Sequence, residues 1–217
     1  MPRIFEVFLS ILALTFLLPL FITIMIILSL TGEKKVFYLQ KRVGFKNKYF
    51  KIIKFATMLE NSPNIGSGSL TLKNDPRVLP FGKILRKTKL NELPQILNIL
   101  IGDISIVGPR PQMEVDFIKY SSAVQTKIYN IRPGLTGIGS IVFRDEESLI
   151  SAVKDEDPHE FYKRVIAPYK GELEMWYQKN KSFFLDLQLI FMTAWVILFP
   201  KSKLYEKWFK NLPKRNF

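Results

Sequence analysis

The 217-residue chain carries 32 Lys and Arg against 19 Asp and Glu, a net charge of +13, and 47% of it is hydrophobic with 18 Phe. That excess calls for an anionic partner, and the apolar aromatic content points to lipid rather than to nucleic acid. There is no cysteine, hence no disulfide, zinc-thiolate site or thiol chemistry, and the one histidine, His159, lies in an acidic, Pro-containing run, which argues against a histidine-centred triad.

Residues 8–30 are almost wholly apolar and long enough to span a bilayer. No small-residue cleavage site follows a short apolar core, so a removed leader is disfavoured. Pro19 in the middle removes a helical hydrogen bond and predicts a bend. The residues leave two topologies open: a kinked helix that crosses, or one that enters and leaves on the same face. Lys34, Lys35, Lys41, Arg42, Lys46 and Lys48 follow the run while Arg3 alone precedes it, so the main domain is expected on the cytoplasmic side either way.

Residues 36–38 and 49–53 have strand character around a turn at 44–48, predicting a basic hairpin. Residues 61–74 are rich in Ser, Gly and Asn and predict a surface loop, mobile over a site. A basic helix is expected over 81–89. From 91 the chain predicts a second helix, with Asn91 as N-cap, Glu92 in its first turn, and Leu93, Ile96, Leu97 and Leu100 on the inward face. Gly102 ends it. Residues 104–107 are strand-like, and 108–111 form a stiff turn carrying Arg110. A helix opening with a carboxylate near an Arg on a rigid loop suits phosphate and a cation.

Further on, 112–130 predict one surface helix. The Gly-rich 131–142 either lines a ligand with backbone amides or packs as a turn. Residues 145–160 are acidic and expected to be solvated, and 161–180 helical. The second apolar run, 182–200, is short and contains Asp186, which costs about 2.5–3.5 kcal/mol near a bilayer centre. It is therefore expected to lie in the interface or on the domain, with Asp186 turned inward. The tail, 201–217, places six basic residues beside Trp208 and Phe209, a composition suited to headgroups. The basic residues are spread among aromatics instead of gathered on one recognition helix, which argues against nucleic acid.

Five stretches, QKRVGFKNKYFKIIKFATM, NDPRVLPFGKILRKTKL, NELPQILNILIGDISIVGPRP, IRPGLTGIGS and WYQKNKSFFLDLQLIFMTAW, in this order and spacing, resemble the bacterial sugar transferase family, the monotopic phosphoglycosyl transferases. The match runs from 41 to about 193. The resemblance implies an enzyme that moves a phospho-sugar from a UDP-sugar to undecaprenyl phosphate with Mg²⁺. It implies a location at the cytoplasmic face of the bacterial inner membrane and a role in initiating glycan assembly.

The expected fold is α+β and mainly helical. It has a membrane helix (1–32) that the resemblance implies is re-entrant, a catalytic domain with a small β-hairpin and interfacial helices (33–200), and a membrane-surface tail (201–217). Expected partners are the UDP-sugar, undecaprenyl phosphate and membrane lipids, not nucleic acid; whether copies associate into a homo-oligomer is left open. The family carries an Asp-Glu pair, with Asp as covalent nucleophile, where this chain has Asn91-Glu92. Asn91 is a neutral amide and cannot form that intermediate. Three readings follow: Glu92 takes over attack or metal contact, the lipid phosphate attacks directly, or the chain is an impaired homologue or scaffold. Ala56 and Gly139-Ser140 are smaller departures, the latter replacing a typical Ala-Gln pair. The expected site places Glu92 on Mg²⁺, Arg110, Arg86, Arg132 and Lys54 on phosphates, and Asp186 orienting one of these arginines.

Overall fold

The computed structural model describes every residue of 1–217 except Ser67, Ser69 and Lys154. Helix α1 (Arg3–Leu30) runs helical through Pro19. Its outward residues, among them Phe8, Ile11, Phe16 and Ile26, are exposed and apolar. Its inward face is short of contacts in the middle but docked at both ends. Near the start, Arg3 donates to the carbonyls of Ile99 and Leu100, and the buried Glu6 accepts the Ile106 N–H at 3.3 Å. Near the finish, Phe21, Ile24 and Leu28 pack with Phe55 and Leu85, with the Phe21 and Phe55 ring centroids 4.9 Å apart.

Strands β1 (Phe37–Val43) and β2 (Tyr49–Phe55) pair antiparallel from Phe37 opposite Phe55 to Val43 opposite Tyr49. The hairpin is the predicted one, with β1 continued up to the turn and β2 continued by two residues at its far end. The turn between them holds Lys46 and Asn47 at positive φ. The loop at 61–74 is built around one side chain. Arg77, 3% exposed, donates to the carbonyls of Ser62, Ile65, Gly68 and Leu70 at 2.7–2.9 Å and pairs with Asp75. The described part of this loop is thus clamped where a mobile cover was expected.

Helix α2 (Pro80–Lys87) leads through Lys89, at φ 61°, into a 3₁₀ turn at Leu90–Glu92, and only then into α3 (Gln95–Ile101). Asn91 is therefore inside a tight turn and is not the N-cap of the long helix. Pro94 stands at the cap position, since it has no N–H to lose there. The buried face of α3 carries Gln95, Ile96, Asn98 and Ile99. Leu93 packs toward the α1 cluster, while Leu97 and Leu100 are only half-buried. The buried Asn98 explains this rotation. Its side chain accepts the Ile53 N–H and donates to the Lys51 carbonyl, both at 2.9 Å, so it fastens α3 to β2.

Strands β3 (Ser105–Val107) and β4 (Gly134–Thr136) pair in parallel. Between them the expected single helix is two short ones, α4 (Glu114–Phe117) and α5 (Ser122–Lys127), because Ser121 caps a new start by accepting the Val124 N–H. Gly134 and Gly108 lie so close that a Cβ on either would strike the other strand's backbone. The Gly-rich segment is thus a packing turn, continued by α6 (Ile138–Val142). The acidic stretch folds as α7 (Glu146–Ala152), with Ile150 buried, and α8 (Pro158–Phe161). A π-helical turn at Tyr162–Ile166 joins α8 to α9 (Ala167–Asn180), in a stretch where Pro168 supplies no N–H.

Helix α10 (Phe183–Leu198) buries Leu185, Asp186, Leu189, Met192 and Val196 in the main core and exposes Phe184, Phe191 and Leu198. The inward Asp186 was expected. After α11 (Leu204–Trp208) the tail returns, with Phe217 against Phe143 and Tyr169. The architecture is mainly helical α+β, as the sequence implied.

Candidate active site

The site forms where β2, the 3₁₀ turn and the 108–111 loop meet. Asn98 holds β2 beside α3, which brings Lys54 next to the turn carrying Asn91 and Glu92. The loop is strapped from the other side: Gly108 N–H donates to the Thr136 carbonyl and Gly134 N–H to the Pro109 carbonyl, each at 2.9 Å. Its Arg110 reaches Glu92 through Nη2–Oε1 at 2.9 Å.

Glu92 is 14% exposed at its side chain. Burial alone would push its carboxyl up, but Arg110, Lys54 and Lys89 hold it far below the usual carboxylate range. Glu92 in turn raises Arg110 above the ordinary guanidinium value. Burial lowers Lys54 well below the ordinary ammonium value, reinforced by Arg42. Burial likewise lowers Lys89, against Glu92, which supports its charge. Arg42 falls to about 10, from burial and then from Arg110. Four cations thus converge on one carboxylate. Such a place favours a multiply charged anion.

Arg86 lies at the rim. Its Nη2 pairs with Glu147 of α7 at 2.6 Å, so the acidic segment expected to be solvated closes one side of the site. Two predicted residues lie elsewhere. Arg132 is exposed, donates to the Gly102 carbonyl at 3.1 Å and stacks over Phe45. That is the far end of α3 from Glu92. Asp186 orients no arginine. It accepts the Tyr177 hydroxyl at 2.7 Å and meets the Met1 ammonium.

Sequence reasoning missed Arg42 and Lys89 as site cations. In the sequence Arg42 counts only toward the basic flank of the apolar run, yet it donates to the Pro111 carbonyl at 3.2 Å and to Gln40. Asn91 is 6% exposed, and among the described residues its Oδ1 has no hydrogen-bond partner, nor has the Nε2 of Gln95. Among the described residues no three His, Cys, Asp or Glu side chains form a metal-binding group.

An apolar helix docked at both ends on the domain thus lies near a cluster of cations around one carboxylate, an arrangement suited to anionic phosphate groups. The family model for bacterial sugar transferases matches residues 1–200, and the chain belongs to that family. It is thereby an enzyme of sugar transfer. It is 35% identical over 205 residues to the exopolysaccharide production protein ExoY of Sinorhizobium fredii, covering 88% of this chain and 82% of that one. It is 31% identical to the undecaprenyl-phosphate galactose phosphotransferase of Salmonella typhimurium. It is 32% identical to the UDP-glucose:undecaprenyl-phosphate glucose-1-phosphate transferase of Klebsiella pneumoniae. These two matches take in 91% and 92% of this chain but 40% of each relative.

Proposed function

We propose that this chain transfers a sugar-1-phosphate from a UDP-sugar to undecaprenyl phosphate at the cytoplasmic membrane face, the first step of a glycan. The observation that carries this is the convergence of Arg110, Lys54, Lys89 and Arg42 on Glu92, a few residues from the segment where α1 meets the domain. The relatives' names support the lipid acceptor and sugar-phosphate transfer. The docking of both ends of α1 on one domain supports entry and exit on the same side of the bilayer, because a charged domain cannot face both compartments.

Asn91 shapes the chemistry. With no carboxylate there, an oxygen of the lipid phosphate attacks the sugar-bearing phosphorus of the donor. The bond to the bridging oxygen breaks, and uridine monophosphate leaves with the electron pair. The attacking oxygen is already anionic and needs no base, so positioning and charge neutralisation are what the residues supply. Arg110 offers parallel donors to diphosphate oxygens. Lys54 and Lys89 neutralise charge on the leaving group. Glu92 fits Mg²⁺ as a carboxylate ligand, with the unpartnered Oδ1 of Asn91 as a neighbouring hard oxygen. The ion would supply further neutralisation of the diphosphate when bound.

The test is release of uridine monophosphate from a panel of UDP-sugars with undecaprenyl phosphate and Mg²⁺. Release that survives Asn91→Ala but not Arg110→Ala supports the direct route. The buried amide at 91 also favours a second reading, a catalytically impaired homologue or scaffold. Silence of the parent with every sugar, together with activity in Asn91→Asp, would establish that one.

A further inference from the structure

Arg110 sits between two prolines, so within 109–111 it supplies the only backbone N–H. Both polar groups of that residue's backbone are gripped by buried side chains from other elements. Its carbonyl accepts the Tyr129 hydroxyl at 2.9 Å, and the same hydroxyl oxygen accepts the Gln112 N–H at 2.9 Å. Its N–H points to Oε1 of Glu174 on α9, at 3.5 Å. Tyr129 and Glu174 are 1% and 2% exposed.

Glu174 is an odd choice for fold stability alone. Among the described residues its buried Oε2 has no hydrogen-bond partner and no ion pair engages it. The chain nevertheless makes room for it. A Cβ at Gly139 of α6 would collide with Oε1 of Glu174. The missing side chain at 139 and the carboxyl at 174 are two halves of one accommodation.

We propose that Tyr129 and Glu174 are positioning residues that fix the Arg110 peptide, and that Gly139 is the space Glu174 requires to do so. They act through Arg110, whose guanidinium meets the donor diphosphate. The inference rests on that reading of Arg110. It goes beyond it by naming what aims the guanidinium: two prolines limit the loop, the Tyr129 hydroxyl holds one side of the peptide and the Glu174 carboxyl the other.

The test uses the full chain labelled with ¹⁵N-arginine. The Arg110 Nε–H resonance is assigned by its loss in Arg110→Lys, and affinity for the probe UDP is measured alongside. Glu174→Ala and Tyr129→Phe are expected to shift or broaden that resonance and to weaken UDP binding roughly tenfold, the scale of one lost buried hydrogen bond. Glu174→Gln keeps an acceptor for the Arg110 N–H and is expected to preserve both. Gly139→Ala, whose Cβ would displace the carboxyl, should resemble Glu174→Ala. An unchanged Arg110 resonance in both Glu174→Ala and Tyr129→Phe would overturn the proposal, as would a Gly139→Ala variant that behaves like the parent. Absence of UDP binding by the parent would count against the functional reading, and the resonance alone then decides this one.

Discussion

Glu92→Gln isolates the logic of the site, since it keeps the shape of the side chain and removes the anion on which the cations converge. Breaking a fully buried ion pair by neutralising one partner costs about 3–5 kcal/mol. Here Arg110 keeps 33% of its side chain in water and Glu92 14%, so screening reduces the loss to about 2–3 kcal/mol. For a chain of this size that lowers the unfolding temperature by about 4–12 °C. The folded carboxyl lies far below its unfolded value. Its contribution is therefore complete above the unfolded pKa of about 4.3 and fades as pH falls below it. Parent and Glu92→Gln should consequently converge in acid. The unpaired cations of the variant should also recruit an anion, and saturating phosphate at a hundred times its dissociation constant returns about 2.7 kcal/mol. Thermal unfolding in nanodiscs, with and without phosphate, measures both effects. A variant as stable as the parent at neutral pH, and no more responsive to phosphate, would refute the idea that Glu92 balances this cluster.

Arg77→Ala would leave buried carbonyls and Asp75 without their donor, at about 1–3 kcal/mol for each stranded group. Hydrogen exchange should accelerate across 59–78 before it does in the core; unaltered protection there would contradict the clamp. Arg132→Ala should leave UDP affinity within about twofold of the parent, since its guanidinium serves the other end of α3, whereas Arg110→Ala should abolish measurable binding. Glu174 is neutral in the fold below about 8, raised by burial against the pull of Lys170 and Arg110. It ionises on unfolding, so raising the pH from about 4.3 to 8 destabilises the parent relative to Glu174→Gln by up to about 1.4 kcal/mol per unit. A stability difference between the two that is flat across this range would show the carboxyl to be ionised in the fold.

Local signals carried well from sequence to structure. The hairpin, the loop bearing Arg110, the inward Asp186 and the apolar face of α1 follow from alternation, prolines and hydropathy, all properties of neighbouring residues. What failed depended on distant partners. The face of α3 turned because Asn98, a polar residue invisible to hydrophobic periodicity, is fastened to β2. The Ser121 cap is present in the sequence, but taking 112–130 as a single surface helix passes over it. Among the arginines, sequence offered no way to tell Arg132 from Arg42. Each precedes an apolar or Gly-rich stretch, and only the tertiary fold sends one to the rim of α3 and the other to the Arg110 loop.

The manner in which the arginines are held bears on function. Arg77, Arg164 and Lys170 are paired with carboxylates, and their charge is cancelled where they stand. Arg42 is held by the Pro111 carbonyl and the Gln40 amide. A carbonyl fixes a guanidinium without neutralising it. Lys54 and Lys89 show no carboxylate within ion-pair distance among the described residues, and their lowered pKa values record what burial and mutual repulsion cost them. A fold that sought only stability would have supplied acids or replaced these lysines. Keeping them leaves a rigid deficit of negative charge around Glu92, larger than one carboxylate can fill. A diphosphate and a lipid phosphate arriving together would fill it.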